Sequence, residues 1–186
     1  MKDIRYPGGN ELLDPKFLLQ DVLAMNYGTT VGDLGCGSMA YFALAAAKIV
    51  GPKGLVYALD ILKEVLSSVE SKARQEGLYN LKTVWTNLEI VGAAKIPAEC
   101  LDYSLLINTL FQTQKHLEML QEAYRLTKPG GKLLLVDWKA AVGPIGPKKE
   151  IRLDPLDAAR MAEEAGFKKE KLFEAGQYHY GIVFIK

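Results

Sequence analysis

The residues that could do chemistry gather at two neighbouring points of the chain. Residues 30–37 read Thr-Val-Gly-Asp-Leu-Gly-Cys-Gly, and a second acid, Asp60, closes the next apolar run. An apolar stretch that runs into Asp-x-Gly-x-Gly reads as a buried parallel strand stopping in a tight turn against a helix start. Gly35 and Gly37 carry no Cβ, so a ligand can lie directly on their backbone. Asp60 falls where the tip of the adjacent strand belongs, and a carboxylate there can accept hydrogen bonds from both hydroxyls of a ribose. One bare tip beside one acidic tip describes a nucleoside site.

The elements that must position these residues follow from pattern and punctuation. Asp14-Pro15 is a helix-start signal, with Phe17, Leu18, Val22 and Leu23 as an apolar stripe. Residues 31–34 form a first strand. Ser38 can cap the next helix, which ends at Gly51-Pro52. Strands are expected at 55–59, 81–85, 102–107 and 132–136, with helices at about 62–76 and after 107, the latter broken by Pro129-Gly130-Gly131. Asp154-Pro155 starts a last helix that ends at Gly166. Residues 167–173 and 180–185 are too close for a crossover and must form an antiparallel hairpin. Strands alternating with helices imply a mainly parallel sheet.

The bulk numbers exclude several classes. A chain of 186 residues is long enough for one domain with a real core. Its 23 basic and 22 acidic residues leave a net charge of +1. A nucleic-acid partner is therefore not expected, since phosphate neutralisation needs clustered Lys and Arg. Cys36 and Cys100 make neither a disulfide framework nor a zinc pattern, and no metal site is expected. The longest apolar stretches fall short of the roughly 20 residues that span a bilayer. With no apolar signal core at the N-terminus, a cytoplasmic protein is expected, working as a monomer or homodimer on a small molecule.

Gly35-x-Gly37-x-x-Ala40 formally matches the dinucleotide fingerprint, which leaves an NAD(P)-binding oxidoreductase as one reading. The rest of the chain points elsewhere. It resembles the class I S-adenosylmethionine-dependent methyltransferase family, and within it the small members similar to the ubiquinone/menaquinone-biosynthesis methyltransferases. The resemblance rests on Leu-Leu-Asp-Pro at 12–15, Val-Gly-Asp-Leu-Gly-Cys-Gly at 31–37 and Gly-Pro-Lys-Gly-Leu-Val-Tyr-Ala-Leu-Asp at 51–60. It continues through Glu-Ala-Tyr-Arg-Leu-Thr-Lys-Pro-Gly-Gly-Lys-Leu-Leu-Leu-Val-Asp-Trp at 122–138 and Tyr-His-Tyr-Gly-Ile-Val-Phe-Ile-Lys at 178–186.

The resemblance implies a site residue by residue. Asp33, Gly35, Cys36 and Gly37 would line the methionine part of S-adenosyl-L-methionine. Asp60 would hold the ribose, and Ile61 would pack on the adenine face. Asn87 and Leu88 would sit at the adenine edge, and Asn108 beneath the sulfonium. Three positions depart from the family: Met39 replaces a usual third glycine, Asn87 replaces a usual aspartate, and Thr109-Leu110-Phe111 lacks a histidine often found there. Met39 and Asn87 leave room for a second alternative, a non-catalytic partner subunit of the same fold.

Methyl transfer from a sulfonium is an in-line displacement that needs a base only when the acceptor must lose a proton. The catalytic candidates are His179, Tyr178 and Lys139, which topology brings to the carboxyl end of the fifth strand. Each also has a plainer reading, the tyrosine as strand-end packing and the histidine as a satisfied turn residue. The sequence thus predicts an α/β, Rossmann-like, doubly wound seven-stranded sheet, mostly parallel with an antiparallel last strand and helices on both faces. A single methyltransferase domain over 1–186 is expected, with a helical extension at 1–29 and the Rossmann-like core at 30–186. Residues 7–13 and 141–150 are the candidate lids over a small or medium-sized acceptor.

Overall fold

The computed structural model describes residues 12–140 and 145–186, and from Thr30 onward these form seven strands interspersed with four α-helices. The order is β1 (Thr30–Leu34), α1 (Tyr41–Val50), β2 (Leu55–Asp60), α2 (Lys63–Gln75), β3 (Leu81–Trp85) and β4 (Leu101–Ile107). Then come α3 (His116–Leu126), β5 (Thr127–Trp138), α4 (Pro155–Glu164), β6 (Lys168–Glu174) and β7 (His179–Ile185). The seven strands lie in the order β3-β2-β1-β4-β5-β7-β6. Every pairing is parallel except those of β7, which runs against both β5 and β6. This is the expected sheet.

Each face of the sheet buries its own apolar layer. Val31, Val56, Leu105 and Val136 pack under α1 and α2 with the N-terminal leucines. Leu34, Leu59, Leu106 and Leu135 pack under α3 and α4. The central strands are buried on both sides, which is why they read as continuous apolar runs rather than alternating ones. Parallel pairing in register sets Asp33 opposite Ala58 and Leu34 opposite Leu59, so β1 and β2 end side by side.

Three local expectations are corrected. The N-terminal helix is π-wound over Phe17–Val22, closed by Leu23 N donating to Leu18 O at 3.1 Å. Wider turns move its buried face, so Leu18, Leu19 and Leu23 are buried while Phe17 is exposed. Ser38 does not cap α1; the cap position is Ala40, in the left-handed region at φ 51°, because the glycine turn runs two residues further than the pattern suggests. Pro129-Gly130-Gly131 does not interrupt the chain between helix and strand. β5 starts at Thr127, directly after α3, and the tripeptide forms a bulge between the pairs Leu101–Thr127 and Tyr103–Lys132. Gly130 N donates to Lys186 O at 2.9 Å and Lys186 N to Gly131 O at 3.0 Å, which ties that bulge to the last strand. Finally, residues 7–11 and 141–144 of the two expected lids lie outside the described residues.

Two glycines act at the end of β1. Gly35 has φ 86°, and a Cβ built on it would stand 2.5 Å from Thr109 Cγ2. Gly35→Ala should therefore lose about 2 kcal/mol or more of stability, from backbone strain and the clash together. Adding Thr109→Ala should restore part of that loss in urea unfolding. A single Gly35→Ala variant as stable as the parent would contradict this packing.

Candidate functional site

The turn after β1 is held by its own amides. Gly35 N and Cys36 N both donate to Leu59 O, at 2.8 and 3.0 Å. Gly37 N donates to Asp60 Oδ2 at 3.1 Å, and Leu62 N donates to Asp60 Oδ1 at 3.0 Å. One carboxylate thus joins the two strand ends. A carboxylate offers about four acceptor positions, so two remain for a pair of hydroxyls. A Cβ on Gly37 would meet no heavy atom within 4 Å, which leaves bare backbone facing open space.

Beside this junction lies a cleft of about 310 Å³. Gly35, Gly37, Asp60, Ile61, Asn87 and Leu88 all line it. Ile61 is 53 % exposed directly beside the acid, an apolar surface that a flat ring can cover. Asn87 Oδ1 accepts from Glu89 N at 2.9 Å, which orients the amide and leaves a second lone pair on the oxygen. Thr86, Gln112, Thr113 and Met119 are among the other residues of the wall. Sequence reading missed these four because they come from separate loops and helices that only the fold brings together. A larger hollow, about 440 Å³, lies around Gly54, Leu55, Tyr79 and Asn80. It sits at the amino ends of the strands, away from the edge where open α/β sheets hold ligands.

The other expected cofactor residues, Asp33, Cys36 and Asn108, are buried and do not line the cleft. Asp33 is buried, and its Oδ2 has no partner among the described residues. Burial pushes its pKa up to about 7, opposed by the Ala43 N–H of α1 and reinforced by the charge of Asp60. Asn108 is buried at the end of β4 with φ 54°, its N–H donating to Val136 O at 2.8 Å and its own O accepting from Gln112 Nε2 at 2.7 Å. The Cys36 side chain turns into the core, where burial raises its thiol pKa. Met39 points outward, 49 % exposed, with Lys72 Nζ 3.3 Å from its sulfur.

Residues 26–176 match the methyltransferase-domain family. The chain belongs to that family. A crystal structure of a SAM-dependent methyltransferase from Aquifex aeolicus superposes with a TM-score of 0.86 at 27 % identity, covering 99 % of this chain and 95 % of that one. The demethylmenaquinone methyltransferase of Geobacillus sp. (strain WCH70) is 33 % identical over 105 residues, 56 % of this chain and 43 % of that protein. That of Anoxybacillus flavithermus is 32 % identical over 110 residues, 59 % and 45 %. The chain thus spans less than half the length of the curated relatives it matches. A cyclase also superposes, with a TM-score of 0.74 at 14 % identity over 91 % of this chain and 79 % of that one, and it shares the fold alone.

In this methyltransferase domain the three catalytic candidates do gather at the end of β5, but none faces the cleft. His179 pairs with Trp138 across β5 and β7, is fully buried, and lies 4.2 Å from the indole, ring centroid to ring centroid. Burial lowers its pKa to about 4, helped by the charges of Lys139 and Arg152. Lys139 Nζ is engaged with the Glu174 carboxylate and with Gly176 O at 3.1 Å. Tyr178 O accepts from Lys139 N at 2.9 Å. Asp137, not singled out by motif, is buried here. It accepts from Phe111 N at 3.1 Å and Trp138 N at 2.8 Å, and burial pushes its pKa up to about 7.

These shifts fix a pH dependence. An acid raised from 3.8 to about 7 holds its proton when folded and loses it when unfolded, so stability falls as pH rises through that window. His179, lowered from 6.5 to about 4, acts oppositely: stability rises with pH over its window. Asp33→Asn removes one of the two acids. Its stability slope between pH 5 and 6.5 should be less negative than the parent's by about 1.4 kcal/mol per pH unit. Equal slopes in urea titrations would contradict a buried, protonated Asp33.

Proposed function

We propose that this domain binds S-adenosyl-L-methionine in the cleft and transfers its methyl group to a small or medium-sized acceptor. The observation that carries the reading is the Gly37–Asp60 junction, a bare main-chain shelf joined to a carboxylate with two acceptor positions to spare. Asp60 would take the ribose hydroxyls, Ile61 the face of the purine, and Asn87 and Leu88 its edge. Gly35 and Gly37 would carry the methionine portion, with Asp33 and Asn108 beneath it. The bound cofactor supplies an electrophilic methyl on a positively charged sulfur.

The residues here orient and enclose; no group in the cleft has to move a proton for an acceptor that is already nucleophilic. Asp33 lies where a cationic ligand would favour its ionised form, so the acid that destabilises the free fold would then interact favourably with the ligand.

The dinucleotide reading is not favoured by the same geometry. In a dinucleotide site the backbone of the glycine turn is what approaches the pyrophosphate. Here Gly35, Cys36 and Gly37 spend their amides on Leu59 and Asp60, and the Ala43 N–H is directed at Asp33. The non-catalytic alternative rests on Met39 and Asn87. Met39 takes no room from the cleft, and Asn87 keeps an acceptor for an amino group. The relatives' names concern demethylmenaquinone; for this chain the acceptor stays at its size class. A cytoplasmic setting suits the two free cysteines, and no helix among the described residues is long and apolar enough to cross a membrane.

Calorimetric titration with S-adenosylhomocysteine tests the reading. The parent should bind, and Asp60→Ala should weaken binding by about 2 kcal/mol or more, as for a lost pair of charge-assisted hydrogen bonds. An unchanged dissociation constant would remove Asp60 from the ribose.

A further inference from the structure

The purine edge of the cleft stands on an unusual support. Residues 86–100 contain no regular secondary structure, and a loop of that length is uncommon in a compact domain. It begins with Thr86, Asn87 and Leu88, which line the cleft. Its internal hydrogen bonds form a short chain of turns: Ile90 N donates to Asn87 O at 3.2 Å, and Ala93 N donates to Ile90 O at 3.0 Å. Among the described residues, every hydrogen bond that ties 87–98 to the rest of the fold is made by Glu122 or Arg125.

Glu122 lies on α3, one turn beyond the cleft-lining Met119, and is fully buried. Its Oε2 accepts from Gly92 N at 2.7 Å and its Oε1 from Ala94 N at 3.1 Å. Arg125 grips the same carboxylate through Nε at 2.7 Å and Nη2 at 2.8 Å, and Nη2 also donates to Ala94 O at 3.1 Å. Those four donors occupy the four acceptor positions a carboxylate has. Burial alone would raise the acid's pKa, but the Arg125 bonds and the two amides outweigh it and hold it below the ordinary value. A buried ion pair contributes little net stability against an apolar replacement of the same shape; what it fixes is position. The apolar anchors of the loop, Leu88, Ala94 and Ile96, already join the core beneath it.

We propose that Glu122, backed by Arg125, is a positioning residue for purine recognition: by holding Gly92 and Ala94 it sets the turns that place Asn87 and Leu88 at the base edge. The proposal rests on the adenosine reading of the cleft. It makes an α3 carboxylate outside the cleft a determinant of which base the cleft accepts.

Three probes separate this from general loosening of the fold. They are S-adenosylhomocysteine, its deaminated analogue S-inosylhomocysteine, and 5′-methylthioadenosine, which keeps the base and lacks the amino-acid tail. Affinities are measured by calorimetry on the full chain. In Glu122→Gln the amide puts a donor against one backbone N–H, so one anchor is lost. The preference for adenosyl over inosyl ligand should fall by about fivefold or more, while the preference for the tailed over the tailless ligand stays within about twofold of the parent. Arg125→Lys keeps the charge and loses the fork, and should show the same pattern at smaller size; it carries the test if Glu122→Gln does not fold. Unchanged ratios in the folded variants would overturn the proposal, and so would both ratios falling together. A parent that binds none of the three probes would overturn the adenosine reading itself, a distinct result.

Discussion

The structure turns on the in-register parallel pairing of β1 with β2. Because Leu34 stands opposite Leu59, the glycine turn and Asp60 leave the sheet side by side, and Gly37 can reach the carboxylate at 3.1 Å. A slip of one residue would turn the side chains of β1 to the opposite faces and would separate turn from acid. The two apolar layers forbid that slip, since each would lose its set of buried residues. Core packing therefore sets the geometry of the cleft, and Leu88 belongs to both.

The ends of β1, β4 and β5 bury polar groups at some cost to the fold. Asp33 and Asp137 are both buried with pKa values pushed up to about 7, and Asn108 holds a left-handed backbone conformation that disfavours most side chains. Such features cluster where a ligand or a moving segment can later compensate them. Glu122 presents the opposite case, a buried acid with every acceptor position filled. Burial dominates at Asp33 and raises its pKa, whereas at Glu122 the Arg125 bonds and two amides outweigh burial and lower it.

Much of this was legible in the residues. Alternating strands and helices, the Gly51 and Gly166 stops, the Asp154 cap and the close final pair gave the sheet and its antiparallel β7. Asp154 does cap α4, accepting from Leu156 N at 2.8 Å. The glycine turn and Asp60 could be read together because the motif is local to two strand ends. What stayed hidden was non-local or depended on backbone form. The π-winding at Phe17–Val22, the bulge at Gly130 and the cap at Ala40 have no periodic signature. Thr86, Thr113 and Met119 join the cleft only through tertiary packing. His179 reads in sequence as a turn residue or a proton acceptor, yet its pairing with Trp138 buries it.

The most direct test of the central claim is amide chemical-shift mapping of the isotopically labelled chain titrated with S-adenosylhomocysteine. An adenosine-binding junction of β1 and β2 predicts the largest shifts at Gly35, Gly37, Ile61, Leu62 and Leu88, with little change at Tyr79 and Asn80 around the opposite hollow. Shifts centred on that hollow, or none along the junction at saturating ligand, would contradict it.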